Sequence, residues 1–479
     1  MTLDSLPWGT LYTASEWVLR VGALLVVPQR RTAASARAWL LLILFEPWFG
    51  LVLYLLIGRL YLPRRRLALQ AEVRSAIRRV EPAAGDGLER AWDHGAAADA
   101  PALTLAARLS EFPPSAGNTF ELLPHYERAL GRLAADIDGA TRFVHLLYYI
   151  FASDAAGRAM AAALTRAAQR GVTVRVLLDA IGGHDGLVHL GPALRAAGVE
   201  VIAAMPLRLW GPNAARLDLR NHRKIAVIDG EVAYFGSQNI VGDDANPGLR
   251  NEELAVRATG PIVRHLDAVL LADRFLETGT LPPEADMSKP WPVETGRGGL
   301  AQVLPSGPGY AEGTAEAVMI ALMYGAARRV VLTAPYVVPS PAFLAAMCTA
   351  AKRGVTVELI VDRTSNKPLV QLAQASYYDE MLASGVRILE HEGSFLHAKH
   401  MSIDDDTVLI GSSNLDIRSF ALNAEVSVLI RDAAVAADLH AIQAAYLARV
   451  MEVTPATRAA LRRGRRVLEN LARLMDAVL

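Results

Sequence analysis

Of 479 residues only one, Cys348, is a cysteine. No disulfide can close within the chain, and the count does not decide a redox compartment. Cys348 lies in an alanine-rich helical stretch and reads as a small buried residue. An excess of one charge is lacking too: 49 Lys and Arg balance 49 Asp and Glu. A neutral chain has no general pull on nucleic acid, whereas a dedicated nuclease presents a basic surface. A local basic groove remains compatible with that balance. A cleavable leader is also not evident. Residues 11–27 form a weaker membrane-segment candidate, interrupted by Glu16 and Arg20, and Gln29, Arg30 and Arg31 follow instead of a small-residue cleavage site.

What the chain does have is one pattern in two copies. The first reads Asn221-His222-Arg223-Lys224, then Asp229, then Gly236-Ser237-Gln238-Asn239. The second reads His397-Ala398-Lys399, then Asp404, then Gly411-Ser412-Ser413-Asn414. Each is H-x-K-x4-D with G-S-x-N at the same offset. A single H-x-K on a strand is more often a solvated edge than a site. Two copies of a five-part spacing reverse that weighing and suggest two half-sites for one phosphate.

The spacing reads as a hairpin. His and Lys two apart on a strand share a face. With Asp229-Gly230 as a two-residue turn, antiparallel pairing sets Ser237 opposite His222; a turn at Asp404-Asp405 sets Ser412 opposite His397. His, Lys, Ser and Asn then gather at one end of each hairpin. Lysine brings positive charge, and Ser and Asn bring neutral hydrogen-bonding groups, a set suited to phosphodiester oxygens. Histidine can be a nucleophile at neutral pH and also move a proton. Each ring needs an acceptor for its second nitrogen. Downstream of each copy stands N-x-E, Asn251-Glu252-Glu253 and Asn423-Ala424-Glu425. Glu253 is therefore expected to orient His222, and Glu425 to orient His397.

The surrounding elements repeat as well. Arg170-Gly171-Val172-Thr173-Val174, ending in Asp179, has a twin in Arg353-Gly354-Val355-Thr356-Val357, ending in Asp362. Strand-like and helix-like stretches alternate in the same order around both, which predicts α/β lobes with helices on the sheet faces. The expected architecture is two similar α/β lobes related by a pseudo-twofold, after an N-terminal membrane-associated helical segment. Expected boundaries are 1–66 for a membrane anchor, 67–115 for a linker, 116–280 for the first lobe, 281–300 for a proline-rich linker, 301–453 for the second lobe and 454–479 for a basic amphipathic helix.

Residues 38–58 are almost wholly apolar and long enough to cross a hydrocarbon core of roughly 30 Å. Glu46-Pro47 interrupts them, and arginines flank both ends. That pattern fits a span, a hairpin that dips into the membrane and turns at Glu46-Pro47, or a buried helix of a soluble body, and the tryptophans and arginines at both ends favour a membrane. At the other terminus Val467, Leu468, Leu471, Leu474 and Val478 fall on one helical face among six arginines. Such a helix can lie on an anionic lipid surface or pack on the body.

The duplicated motif resembles the phospholipase D superfamily. The terminal stretches, including Ser35-Ala36-Arg37-Ala38-Trp39 and Leu468-Glu469-Asn470-Leu471, are similar to those of its bacterial cardiolipin synthases. The resemblance implies a phosphatidyltransferase with no metal and no cofactor. One histidine attacks the phosphorus of phosphatidylglycerol; the other protonates the departing glycerol, then activates a second phosphatidylglycerol to give cardiolipin. By this analogy His222 is the nucleophile and His397 the acid and base. Lys224, Lys399, Asn239 and Asn414 hold phosphate oxygens, Ser237 and Ser412 line the site, and Asp229 and Asp404 support it. Expected partners are phospholipid and membrane, not nucleic acid, at a bacterial inner membrane with the catalytic body in the cytoplasm. Oligomeric state is left open. The competing readings are a phospholipase D-type hydrolase, a nucleic-acid phosphodiesterase and a non-catalytic scaffold.

Overall fold

A computed structural model describes residues 8–30, 33–58, 64–79, 100–207, 218–246, 248–282, 298–310, 313–364 and 367–474. Most of the proline-rich linker, the middle of the 67–115 linker, Arg59 and Val478 lie outside these residues. The chain divides into two compact units, one of residues 1–66 with 207–219 and one of the remainder.

In the first unit, helices span Trp8–Val26, Ala33–Phe45 and Pro47–Leu53, and a wider-wound turn spans Tyr54–Gly58. Among the described residues no helix is long and apolar enough to cross a membrane. The 38–58 run that had the length for a span is broken at Glu46, whose backbone (φ −127°, ψ 80°) leaves the helical region ahead of Pro47. A residue before proline is driven from the α region, and proline cannot donate the next helical bond. The chain then folds back sharply. A Cβ on Gly50 would come within 2.8 Å of the Ile43 backbone, and Trp39 meets Tyr54 edge to face at 5.4 Å. These residues thus form two short helices folded against each other, not one long helix. Phe45, Glu46, Trp48 and Phe49 are exposed around the turn between them.

In the second unit one sheet of fifteen strands runs through both lobes. From one edge the order is Val450–Val453, Arg387–His391, Thr356–Asp362, Arg329–Ala334, His400–Ile403, Thr407–Gly411, Glu425–Arg431 and Gly299–Ser306. It continues as Ser115–Leu123, Ala255–Thr259, Val232–Gly236, Ile225–Ile228, Phe143–Tyr148, Thr173–Asp179 and Glu200–Ala204. Counted outward from the central join, the first seven strands on each side are sequence counterparts. Of each seven, the outer three are parallel and the inner ones antiparallel. Val450–Val453, which the sequence reading did not find, adds an antiparallel edge to the second lobe.

The lobes share a core. Helix Ile262–Thr278 and helix Ala433–Leu447 pack one apolar layer containing Val256, Leu266 and Ile225 with Val331, Ile360 and Val428. The segment read as the linker 67–115 holds helices Arg64–Arg79 and Ala100–Leu109. Ala102, Leu103 and Ala106 of the latter are buried in the second lobe's core beside Val318 and Leu322. Its alanine-rich composition concealed a packed helix.

The motif hairpins turn differently from expectation. Ile228 pairs with Val232 and Ile225 with Phe235, so the loop has three residues, Asp229 to Glu231. In the second copy Ile403 pairs with Thr407, leaving Asp404 to Asp406. Asp229, Gly230 and Asp404 take positive φ of 55°, 69° and 49°, as a three-residue hairpin loop requires. The extra residue shifts both serines one place from the position opposite their histidine.

Candidate active site

Both H-x-K strands enter the site by pairing across the lobes. His222 N–H donates to the Ala424 carbonyl at 2.9 Å, and Ala424 N–H donates to the Arg220 carbonyl at 2.9 Å. In mirror fashion Phe395–Leu396 pairs with Asn251–Glu252, and His397 N–H donates to the Glu252 carbonyl at 2.7 Å. The twin aspartates of the repeat fix the residue just ahead of each histidine. Asp179 accepts Asn221 N–H at 2.9 Å and Asp362 accepts Leu396 N–H at 2.9 Å.

The imidazole–carboxylate pairs cross as well. His222 Nδ1 lies 2.9 and 3.1 Å from the two carboxylate oxygens of Glu425. His397 Nδ1 lies 2.6 Å from Glu253 Oε1. This corrects the expectation that Glu253 serves His222 and Glu425 serves His397. Strand phase identified both glutamates, but the swapped pairing carries each N-x-E strand to the other lobe's histidine.

Ser412 holds Glu425 directly, and Ser237 fixes the backbone next to Glu253. Ser237 Oγ accepts Leu254 N–H at 3.0 Å. Ser412 Oγ accepts Val426 N–H at 3.0 Å and donates to Glu425 Oε2 at 2.5 Å. Gly236 and Gly411 permit this approach, since a Cβ on either would come within 2.3 Å of a carbonyl on the neighbouring strand. The serines therefore do not line the cavity as expected.

A cavity of about 480 Å³ opens over the pair, with His222 and His397 both on its wall. Asn239 and Asn414 also line it. Asn239 Oδ1 accepts Ile150 N–H at 3.1 Å, and Asn414 Nδ2 donates to Tyr336 Oη at 3.0 Å. Lys224 and Lys399 stand behind the histidines, each donating to its own histidine's carbonyl at 2.6 Å. The basic groups facing the cavity are Arg220, Lys367 and Arg418, none of which carried a motif signal as a site residue. Aromatic rings flank the imidazoles. Tyr149 meets His222 at 4.7 Å and Phe395 stacks on His397 at 5.6 Å.

Asp229 and Asp404 lie at the hairpin loops and do not reach the cavity. Asp229 accepts the N–H groups of Thr141, Arg142 and Phe143, each at 2.8 Å. Asp404 accepts those of Ala327, Arg328 and Arg329 at 2.9, 2.8 and 2.9 Å. Both anchor the start of the strand beside the hairpin.

Electrostatics separates the two halves. Burial, then Lys224 and Lys399, hold His222 well below the usual imidazole range. Burial also lowers His397, to about 4, against the opposing pull of Glu253. Burial brings Lys224 down to about 7 and Lys399 to about 8. Burial pushes Glu425 up to about 7, outweighing the nearby lysines. Burial acts the same way on Glu253, but there His397 and Lys399 outweigh it and hold the carboxyl below its usual range. The arrangement offers neutral imidazoles, buried cations and polar amides around one cavity, which suits nucleophilic attack on a phosphodiester with proton transfer.

Comparison with known proteins agrees with the site. Residues 133–273 and 319–446 match the family described as cardiolipin synthase, PLD-like domain. Residues 18–59 match the family described as phospholipase D-nuclease N-terminal. Cardiolipin synthase A of Serratia proteamaculans (strain 568) is 35% identical over 457 residues, covering 92% of this chain and 93% of that one. Cardiolipin synthase A of Yersinia pseudotuberculosis serotype O:1b (strain IP 31758) is 35% identical over 443 residues, covering 90% of each. Among solved structures, the phosphatidylserine synthase of Haemophilus influenzae Rd KW20 superposes with a TM-score of 0.60 at 15% identity, covering 79% of this chain and all of that one; it speaks to the fold alone. On these matches the chain belongs to the phospholipase D-like cardiolipin synthases.

Proposed function

We propose that the protein makes cardiolipin by moving a phosphatidyl group from one phosphatidylglycerol to another, releasing glycerol. The observation that carries this is the meeting of two histidines, one from each lobe, on the wall of one cavity. His222, its Nδ1 toward Glu425, attacks phosphorus through Nε2. The bond to the glycerol oxygen breaks as His397 delivers a proton to it. The phosphatidyl group is then held on His222. His397, now neutral, takes the proton from a hydroxyl of the second phosphatidylglycerol. That oxygen attacks the phosphorus, the P–N bond breaks and cardiolipin leaves.

The division of roles follows from the carboxylates. The charged Glu253 stabilises an imidazolium on His397 better than the more neutral Glu425 does on His222. An arriving phosphodiester adds negative charge, which favours cationic lysines and eases protonation of His397. Asn239 and Asn414 hold phosphate oxygens, with Lys224 and Lys399 supplying positive potential from behind. Asp229, Asp404, Ser237 and Ser412 act by holding strands and glutamates in place. The palindromic strand order supports a pseudo-twofold between the lobes.

The first unit supports attachment to a membrane. Trp8, Trp17, Phe45 and Phe49 are each more than 60% exposed, as lipid contact would have them. The assigned location is a bacterial inner membrane with the catalytic unit on the cytoplasmic side. Removal of residues 1–60 is expected to move the protein toward the soluble fraction; unchanged membrane retention removes the anchor from this reading.

Purified protein incubated with phosphatidylglycerol is expected to yield cardiolipin and glycerol by mass spectrometry. Phosphatidic acid and glycerol instead would make it a hydrolase, and no product would end the proposal.

A further inference from the structure

The C-terminal helix Arg463–Arg473 is fastened to the second lobe by one face. Glu469 and Ala472 are buried. The Glu469 carboxylate accepts from Arg458 Nη1 and Nη2 at 3.2 and 2.9 Å and from Arg465 Nε at 3.2 Å. Arg458, itself buried, also donates to Asp379 at 2.8 Å. The Arg473 guanidinium stands 4.3 Å from the centre of the Tyr377 ring. Breaking a buried ion pair leaves an uncompensated charge, so this docking is specific.

The opposite face carries what a packing helix would hide. Val467, Leu468, Leu471 and Leu474 are 56, 54, 54 and 74% exposed. At about 100° per residue they form one stripe, with Glu469 about half a turn and Ala472 about a third of a turn from its centre. The glutamate has gone inward and the leucines outward, the reverse of a helix whose only task is to cover the body. Arg463 stands one turn before Val467, and Arg466 lies beside the stripe. Between Arg462 and Leu474 the sole acidic residue is the buried Glu469. The exposed face is therefore apolar with cationic edges, which complements an anionic bilayer surface. A second copy of the same face would set arginine against arginine.

We propose that this helix is an interfacial anchor that binds an anionic lipid surface, with the leucine stripe at the acyl boundary and the arginines at the phosphates. The proposal rests on the reading of the chain as a phospholipid enzyme, though not on the reaction it performs. It has a consequence for the site. The helix packs on Pro368–Ala375, and Val370 of that helix and Lys367 just before it line the catalytic cavity. Gln374 of the same helix accepts Val337 N–H at 2.7 Å, next to the cavity residue Tyr336. The anchor thus holds one cavity wall at the lipid surface, where a two-chain substrate presents its phosphodiester.

The test places an environment-sensitive fluorophore at Leu471→Cys in the full-length protein, the native Cys348 being buried. The labelled protein is reconstituted in vesicles of phosphatidylcholine alone or with phosphatidylglycerol. A matched label at the exposed Glu127→Cys of the first lobe is the control. The expected result is a blue shift and loss of most of the 471 emission to a lipid-borne quencher in the anionic vesicles. The loss should be smaller in the neutral ones and absent at 127, and Arg463→Gln with Arg466→Gln should reduce it. No quenching at 471 in anionic vesicles, quenching equal to that at 127, or disulfide formation between two copies of the unlabelled Leu471→Cys protein overturns the anchor. Cardiolipin formation is scored separately on unlabelled protein. Quenching without cardiolipin keeps the anchor and sinks the proposed reaction, and cardiolipin without quenching does the reverse.

Discussion

The two histidine–glutamate pairs come from one repeated motif, yet they differ. His222 faces both oxygens of a Glu425 that also takes a hydrogen bond from Ser412. His397 faces a single oxygen of Glu253. Between His222 and Lys224 stands Arg223, fully buried and paired with Asp273, with its Nε donating to the Glu425 carbonyl at 2.9 Å. Between His397 and Lys399 stands Ala398. Repetition supplies the geometry, and the surroundings set the protonation. Burial holds both imidazoles below their usual range, and only at His397 does the facing carboxylate, Glu253, visibly oppose it.

The bluntest way to break the comparison is to remove each imidazole. His222→Ala and His397→Ala are each expected to cut turnover by about 10³-fold or more, with folding intact by circular dichroism. Labelled phosphatidylglycerol should leave label on His222 of the His397→Ala protein. Label on His397 of the His222→Ala protein alone would exchange the two roles. Next come the carboxylates. Glu253→Gln and Glu425→Gln are each expected to cost on the order of 10²–10⁴ in kcat, as loss of a histidine-orienting acid does elsewhere. NMR titration should show Glu253→Gln altering the His397 ring while leaving His222 nearly as it was. The opposite pattern would overturn the crossed assignment.

A smaller effect tests the asymmetry at Arg223. Arg223→Ala strands the buried Asp273 carboxylate and is expected to lower stability by about 3–5 kcal/mol, read as a shift in the urea midpoint. A midpoint within error of the parent would make the pair irrelevant to folding. The mildest test is pH. A lysine is cationic below its pKa, and burial brings Lys224 to about 7 and Lys399 to about 8. kcat/KM should therefore fall as pH rises through 7 to 9, by about tenfold per unit beyond the governing pKa. Lys399→Arg keeps its charge over that range and should move the falling limb upward; a limb that stays put removes Lys399 from the argument.

Much of the site was legible because a repeated spacing is a strong signal. His222, His397, their lysines and both asparagines came from it directly. Glu253 and Glu425 came from strand phase, but their partners did not, because phase names a face and not the chain segment across from it. Arg220, Lys367 and Arg418 were not singled out as site residues, since single basic residues acquire a direction only when the fold supplies one. The three-residue loop at Asp229 was hidden by the strength of Asp-Gly as a two-residue turn. The helix Ala100–Leu109 was hidden by an alanine-rich composition that also suits a linker. The alternation of strands and helices in each lobe was plain from the run of apolar stretches, although the edge strand Val450–Val453 was not read as a strand.

The exchange of glutamate strands has a consequence for inheritance. A half-molecule holding one H-x-K would own a histidine without its carboxylate partner and a carboxylate without its histidine. If the repeat began as two separate identical subunits, they would have depended on each other in the same way before fusion joined them. A lesion at Glu253 is felt first in the other lobe, at the His397 ring 2.6 Å away.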